Sequence, residues 1–267
     1  MGEALLSRLI ARKIYKSSEI IVSEPQSERR SFLQQQYDVE VTGENRRVLL
    51  ETSVVLLAVK PQIFEAIAAQ IAEAIAVLNH ESSPLPLMIS IMSGMSLSKI
   101  EAACPNLPVI RAMPNTPATV GAGMTAFSLG TNTDDSHRQT AQKLFAAVGE
   151  IVEVPEALMD AVTGLSGSGP AFVAIMVEAL SDGGVAAGLP RAIANQLAIQ
   201  TVRGTVQLLK EKGIHPAQLK DNVTSPGGTT IAGVATLESA GFRSSLIQAV
   251  VAATKRSQEL GAATSDQ

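Results

Sequence analysis

Hydrophobic and polar positions alternate in two rhythms over the first 155 residues. Ala4, Leu5, Leu6, Leu9 and Ile10 recur at helical spacing, which predicts an amphipathic helix over 1–11. A short strand over 19–22, a charged helix over 26–36 and another short strand over 39–41 follow. The continuous apolar runs 54–59 and 87–92 predict strands covered on both faces, as parallel sheets require. Between and after them the pattern predicts helices over 63–77 and 97–103, a strand over 109–113, a further strand over 121–129, a helix over 135–148 and a last strand over 151–154. Strands alternating with helices make a doubly wound parallel sheet.

Beyond Pro155 the rhythm is almost purely helical, so the expected division is 1–155 and 156–267. The run 171–187 starts behind Pro170, is apolar on nearly every side, and carries only Glu178 and Asp182 as charges, which predicts a buried helix. Ala194, Leu197, Ala198, Val202 and Val206 form one stripe along 191–210, and Leu246, Ile247, Val250 and Val251 form another along 242–260. Helices of this kind bury their faces against a second copy, so a homodimer is expected.

Composition narrows the function. Of 267 residues 46% are hydrophobic and 17% charged, which excludes disorder and fits surface covered by a partner chain. A net charge of -4, no Trp and two Tyr leave no basic groove or stacking platform, so no nucleic-acid partner is expected. Cys104 is the single cysteine, which rules out an internal disulfide and fits a cytoplasmic location. His80, His137 and His215 lack metal-ligand spacing, and no metal is expected. The apolar run 54–59 is too short to span a bilayer, and no membrane association is expected.

Two stretches carry candidate chemistry. Ser225, Pro226, Gly227, Gly228, Thr229 and Thr230 precede an Ala-rich apolar run over 231–237 and read as an anion cradle opening a helix, or as an ordinary capped loop. The second is the start of the chain. A dinucleotide's pyrophosphate rests on the first strand-to-helix turn, yet of the glycines of a GxGxxG turn only Gly2 stands at the mouth of the first helix. A start upstream by roughly ten to fifteen residues, enough for one strand and its turn, is the expectation; a helix-first chain is the alternative.

The segments from Asp160 to Ala171 (DAVTGLSGSGPA) and from Leu219 to Thr230 (LKDNVTSPGGTT) resemble pyrroline-5-carboxylate reductases, as do Leu57 to Pro61 (LAVKP) and Met113 to Pro117 (MPNTP). The resemblance runs from Met1 to Leu260 and departs from the family in lacking its first strand. It implies a Rossmann-like nicotinamide-binding domain, then an all-helical domain that pairs subunits, dimers gathered into larger rings, and an active site between domains. By family position Glu156, Ser225, Gly228, Thr229 and Thr230 become substrate contacts, and Thr230 the residue that positions or relays a proton. For the cofactor, the resemblance and the carboxyl ends of the strands point together to Gly2, Ala58, Val59, Lys60, Pro61, Ile91, Met92 and Ser93, and the family pattern adds Asn45 and Asn222.

Ser23 and Glu24 follow the strand expected over 19–22, where an acid favours the ribose hydroxyl of NADH. Arg29, Arg30 and the family's habit lean to NADPH, with NADH open. Two other readings stand. A hydroxyacid dehydrogenase shares the plan, but the helix 171–187 carries no lysine to donate a proton. A dimer lacking cofactor binding and catalysis would fit the missing turn.

Overall fold

The computed structural model describes residues 1–263, which fall into two compact units: residues 1–167 together with the chain from Ala252, and Ser168–Val251. Residues 156–167 and the end of the last helix thus cluster with the first unit, on the other side of the division expected at Pro155.

In the first unit α1 (Gly2–Ala11), β1 (Ile21–Ser23), α2 (Ser27–Tyr37) and β2 (Glu40–Thr42) come first, and β1 pairs with β2 in parallel. After α3 (Asn45–Glu51) come β3 (Val54–Leu57), α4 (Phe64–His80), β4 (Leu87–Ser90), α5 (Leu97–Ala103) and β5 (Val109–Met113). β6 (Gly123–Leu129), α6 (Asp135–Ala146) and β7 (Gly149–Glu153) complete a five-stranded sheet in the order β3-β4-β5-β6-β7. Pairing is parallel except between β5 and β6, which run antiparallel. The expected all-parallel sheet is corrected there, because only nine residues separate β5 from β6, too few for a crossover helix.

The period of two in the strands sorts their side chains onto two faces. Val55, Leu57 and Met88 pack under α4 and α5 with Phe64, Ile71 and Ile100. Leu87, Ile89, Ile110 and Phe127 pack on the other face with Leu5 and Leu9 of α1 and with Leu144 and Phe145 of α6. Leu6 of the same α1 turns instead to Leu33 and Val39. One helix therefore covers both sheets. β1 and β3 are each a terminal strand of their own sheet. Side chains tie β1 to α3 and α4: Ser23 Oγ donates to Asn45 Oδ1 (2.7 Å), and Asn45 Nδ2 donates to Gln70 Oε1 of α4 (3.0 Å).

The first unit also holds α7 (Met159–Val162) and a π-helical turn, Thr163–Gly167. The second unit contains α8 (Gly169–Ala186), α9 (Arg191–Lys212), α10 (Pro216–Asn222), α11 (Thr229–Ser239) and the first part of α12 (Phe242–Ala263). α8 and α9 form a hairpin in which Gly184 admits Ala194 closely, since a Cβ there would lie 3.2 Å from Ala194 Cβ. The expectation of a buried α8 is corrected: within the chain only Ser181 of α8 is buried, and Ile175 is 65% exposed. Ile199, Ile247 and Val251 are exposed as well, so large apolar side chains of α9 and α12 stay uncovered within the chain, although Ala194 and Ala198 of the α9 stripe are buried. Two stretches, Pro61–His80 and Glu156–Ala186, are long and apolar enough to cross a membrane by length and composition. α4, within the first, is a core helix under the sheet.

Candidate active site

The carboxyl ends of β3 and β4 form one edge. Gly2 opens α1 directly against it: a Cβ on Gly2 would lie 2.9 Å from Ala58 Cβ, inside contact distance, so the helix mouth reaches this strand end only as glycine. No side chain caps α1, and its first N–H groups stay open to an anion. Glu3 in that first turn is drawn aside by Tyr37, which donates to it over 2.7 Å, and by Arg29. These bonds hold the Glu3 carboxyl below its usual range and raise the Tyr37 phenol. In an open α/β sheet an open helix mouth beside the carboxyl ends of strands is where a dinucleotide would be held.

The expected cofactor residues divide on inspection. Ala58, Lys60 and Ser93 are exposed, and Val59, Pro61 and Ile91 partly so. Met92 is 2% exposed and packs in the core, so its side chain is a core residue and only its backbone faces the edge. Ser23 and Asn45 are brought together by their hydrogen bond. Glu24 accepts from the Gln26 N–H, and Arg30 Nη1 donates to the carbonyls of Glu24 (2.7 Å) and Pro25 (2.9 Å). Arg29 is occupied by Glu3 and stacks on Phe32 at 4.8 Å, leaving Arg30 as the cation at the end of β1. Asn222 ends α10 in the second unit and is exposed.

In that unit the segment 225–230 forms a turn into a helix. Gly228 N–H donates to Ser225 O (3.1 Å) with Pro226 and Gly227 between them. Gly227 has φ +68, the left-handed value a type II turn needs at its third residue, and Pro226 supplies the fixed φ of the second. Gly228 is the N-cap of α11 and no side chain caps it. Thr229, Thr230 and Ile231 therefore present backbone N–H groups at the positive end of a helix, beside two threonine hydroxyls. Arg191 in the same unit donates to Ser181 (3.1 Å) and Asp182 (2.6 Å), beside a cleft of about 610 Å³ between α8 and α9.

Glu156, expected to touch substrate, lies at the end of the first unit's sheet. Its Oε1 accepts from Arg111 Nη1 (3.2 Å) and from the backbone N–H of Leu97. A cleft of about 380 Å³ lined by Ser128, Val154 and Glu156 adjoins it. Arg111 and Asp160 were not among the expected site residues, although a lone charge within the apolar run 109–113 was a visible signal. Asn115 was legible only as part of a motif. It joins the two motifs, accepting from Met124 N–H (2.9 Å) and donating to Ser166 O (3.2 Å) in the π turn. Among the described residues no group of His, Cys, Asp and Glu converges to hold a metal ion.

Comparison with known proteins gives two matching family models. Residues 156–260 match pyrroline-5-carboxylate reductase dimerisation, and residues 1–94 match NADP oxidoreductase, coenzyme F420-dependent. The pyrroline-5-carboxylate reductase of Synechocystis sp. is 57% identical over 98% of this chain and 95% of its own length. That of Arabidopsis thaliana is 41% identical over 97% and 92%. Among solved structures, Plasmodium falciparum pyrroline carboxylate reductase with NADP bound superposes with TM-score 0.86 at 30% identity, covering 98% of this chain and 94% of that one. The Coxiella burnetii pyrroline-5-carboxylate reductase gives TM-score 0.87 at 33% identity, over 97% and 94%. With similarity that spans both units and includes the helical segment named for dimerisation, the chain belongs to the pyrroline-5-carboxylate reductase family.

Proposed function

We infer that this protein reduces 1-pyrroline-5-carboxylate to L-proline with a hydride from NAD(P)H, the last step of proline biosynthesis. The observation that carries the reading is the 57% identity to a reductase of that name over nearly the whole chain. The substrate is a cyclic imine bearing a carboxylate. In our reading the open N-terminus of α11 holds that carboxylate through the N–H groups of Thr229 and Thr230, and Gly228 lets the ligand approach the main chain. Ser225 adds a hydroxyl beside Gly228. Thr230 lies at the second position of the helix, where its hydroxyl can hydrogen-bond the ring nitrogen and keep the protonated imine oriented.

When bound, the dinucleotide supplies the hydride to the imine carbon, the nitrogen keeps the released electron pair as an amine, and the ring proton arrives from solvent. Gly2, Ala58, Val59, Lys60, Pro61, Ile91 and Ser93 would hold the dinucleotide, with Ser23 and Asn45 at the ribose end, and the family pattern adds Asn222. Glu156 would act by supporting this arrangement through Arg111.

NADPH is the preferred donor in this reading, because Arg30 offers a cation where a 2′-phosphate would lie; Glu24 at the same loop is the feature that would favour NADH. Exposed apolar side chains on α8, α9 and α12 support a homodimer; dimers gathered into a ring and a cytoplasmic location rest on the family resemblance. Steady-state reduction of pyrroline-5-carboxylate with each dinucleotide, with proline identified as product, tests the proposal. A folded protein that binds dinucleotide but forms no proline would overturn it.

A further inference from the structure

Arg111 is the only charged residue of β5, and its side chain is 7% exposed. A guanidinium so far from water must be matched by carboxylates and hydrogen bonds or the strand would be destabilised. Its Nη1 lies 3.2 Å from Glu156 Oε1 and its Nη2 3.8 Å from Asp160 Oδ1. Each carboxylate then reaches a second segment. Glu156 Oε1 accepts the N–H of Leu97, the first residue of α5, beside the N-cap Ser96. Asp160 Oδ1 accepts from Ser257 Oγ over 2.7 Å, and Ser257 is 3% exposed on α12. One turn further, Leu260 and Gly261 lie against Gly94. A Cβ on Gly94 would stand 3.5 Å from Gly261 N, and one on Gly261 would stand 3.1 Å from Gly94 O.

Residues 91–96, which leave β4 and enter α5, are thus held from two sides by groups that meet at one arginine. We propose that Arg111 is a positioning residue for the dinucleotide edge: through Glu156 it fixes the start of α5, and through Asp160 and Ser257 it fixes the end of α12 against Gly94. This rests on the reading that residues 91–93 face the dinucleotide. It also gives Glu156 a role separable from substrate contact, because a substrate contact alone would leave dinucleotide affinity untouched.

The test uses the full chain and four variants: Glu156→Ala, Glu156→Gln, Ser257→Ala and Arg111→Lys. NADPH affinity is measured by fluorescence titration without substrate, alongside amide hydrogen exchange of residues 91–99 and the KM and kcat for NADPH. Losing the two charge-assisted hydrogen bonds of Glu156, or the one that Ser257 donates to Asp160, should weaken NADPH binding by about five- to tenfold in Glu156→Ala and Ser257→Ala. Exchange at 91–97 should quicken and KM for NADPH should rise in both, and in Ser257→Ala kcat should change by less than about twofold. Glu156→Gln keeps an oxygen that accepts from Leu97 and should recover part of the affinity. If Arg111→Lys does not fold, Ser257→Ala still decides, since it removes one oxygen atom. Unchanged affinity in both Glu156→Ala and Ser257→Ala overturns the proposal. Failure of the unaltered protein to bind NADPH would overturn it together with the reading of the edge, and is told apart by that first titration.

Discussion

Thr230 offers the sharpest test of the chemistry, because its hydroxyl has nothing else to do. Among the described residues it has no hydrogen-bond partner, whereas Thr236 in the same helix donates back to the Ala232 carbonyl over 3.1 Å. Thr230→Val keeps the branched shape and removes only the hydroxyl. Thr and Val have nearly equal helix propensity, and no buried group loses a partner, so stability should move by no more than about 0.5 kcal/mol. A hydrogen bond to a charged ring nitrogen is worth roughly 1.5–3 kcal/mol, so turnover should fall by about 10- to 150-fold if that bond forms in the transition state. The assay follows NAD(P)H consumption at saturating substrate, with thermal unfolding and NADPH titration as controls. Thr230→Ser, which keeps a hydroxyl, should recover much of the rate. A folded Thr230→Val protein with kcat within about twofold of the original would refute the role, and Thr230 would then be no more than a first-turn helix residue.

A Cβ at Gly228 would lie 2.3 Å from Ser225 Oγ, so Gly228→Ala must swing that hydroxyl away. It should lose about 1 kcal/mol of stability, and Ser225→Ala in the same chain should return part of it in denaturant unfolding. Arg30→Ala should cut the preference for NADPH over NADH by about tenfold, read as the ratio of kcat/KM values, because one cation at the end of β1 is lost. Burial pushes the Cys104 thiol up to about 11 from an ordinary 9.0, so thiol reagents should label it only after unfolding. Below pH 9 both folded and unfolded chains keep that proton, and Cys104 adds no pH dependence. Between 9 and 11 the unfolded chain ionises first, and stability should fall by up to about 1.4 kcal/mol per unit, a slope that Cys104→Ala should remove.

Much of the first unit was legible because its elements follow their own rhythm. α5 and β5 occupy the expected residues 97–103 and 109–113, since short apolar runs flanked by Ser96 and Pro108 leave little choice of boundary. α3 and α10 were not foreseen: the apolar residues of α3, Val48, Leu49 and Leu50, are consecutive, and Leu219 is the one large apolar residue of α10, so neither shows a helical period. The direction of β6 depends on a connection through the short turn Thr116–Val120, which fixes topology without leaving a hydrophobic signal. The turn at 225–228 was readable from Pro226 and the glycines, because a type II turn demands those residue types in that order. The partnership of Arg111, Glu156, Asp160 and Ser257 was not readable, since it joins positions as much as 97 residues apart that only the fold brings together.

The two units treat apolar residues in opposite ways, and this explains the unusual composition. In the first, Leu5, Ile71, Met88, Ile89 and Ile110 are wholly enclosed by neighbours of the same chain. In the second, no residue of α10 or α11 is buried, although α11 is mostly apolar. Isolated helices of such length are marginal in water without tertiary packing. The cradle at the mouth of α11 therefore depends on a helix whose own chain gives it little support. Covering its apolar face with a second copy would stabilise the helix and, with it, the alignment of the N–H groups at Thr229 and Thr230. With the substrate carboxylate held at the mouth of α11 as proposed, self-association and substrate binding are expected to be coupled through α11, which would give one helical segment a reason to carry both the apolar stripes and the proposed cradle.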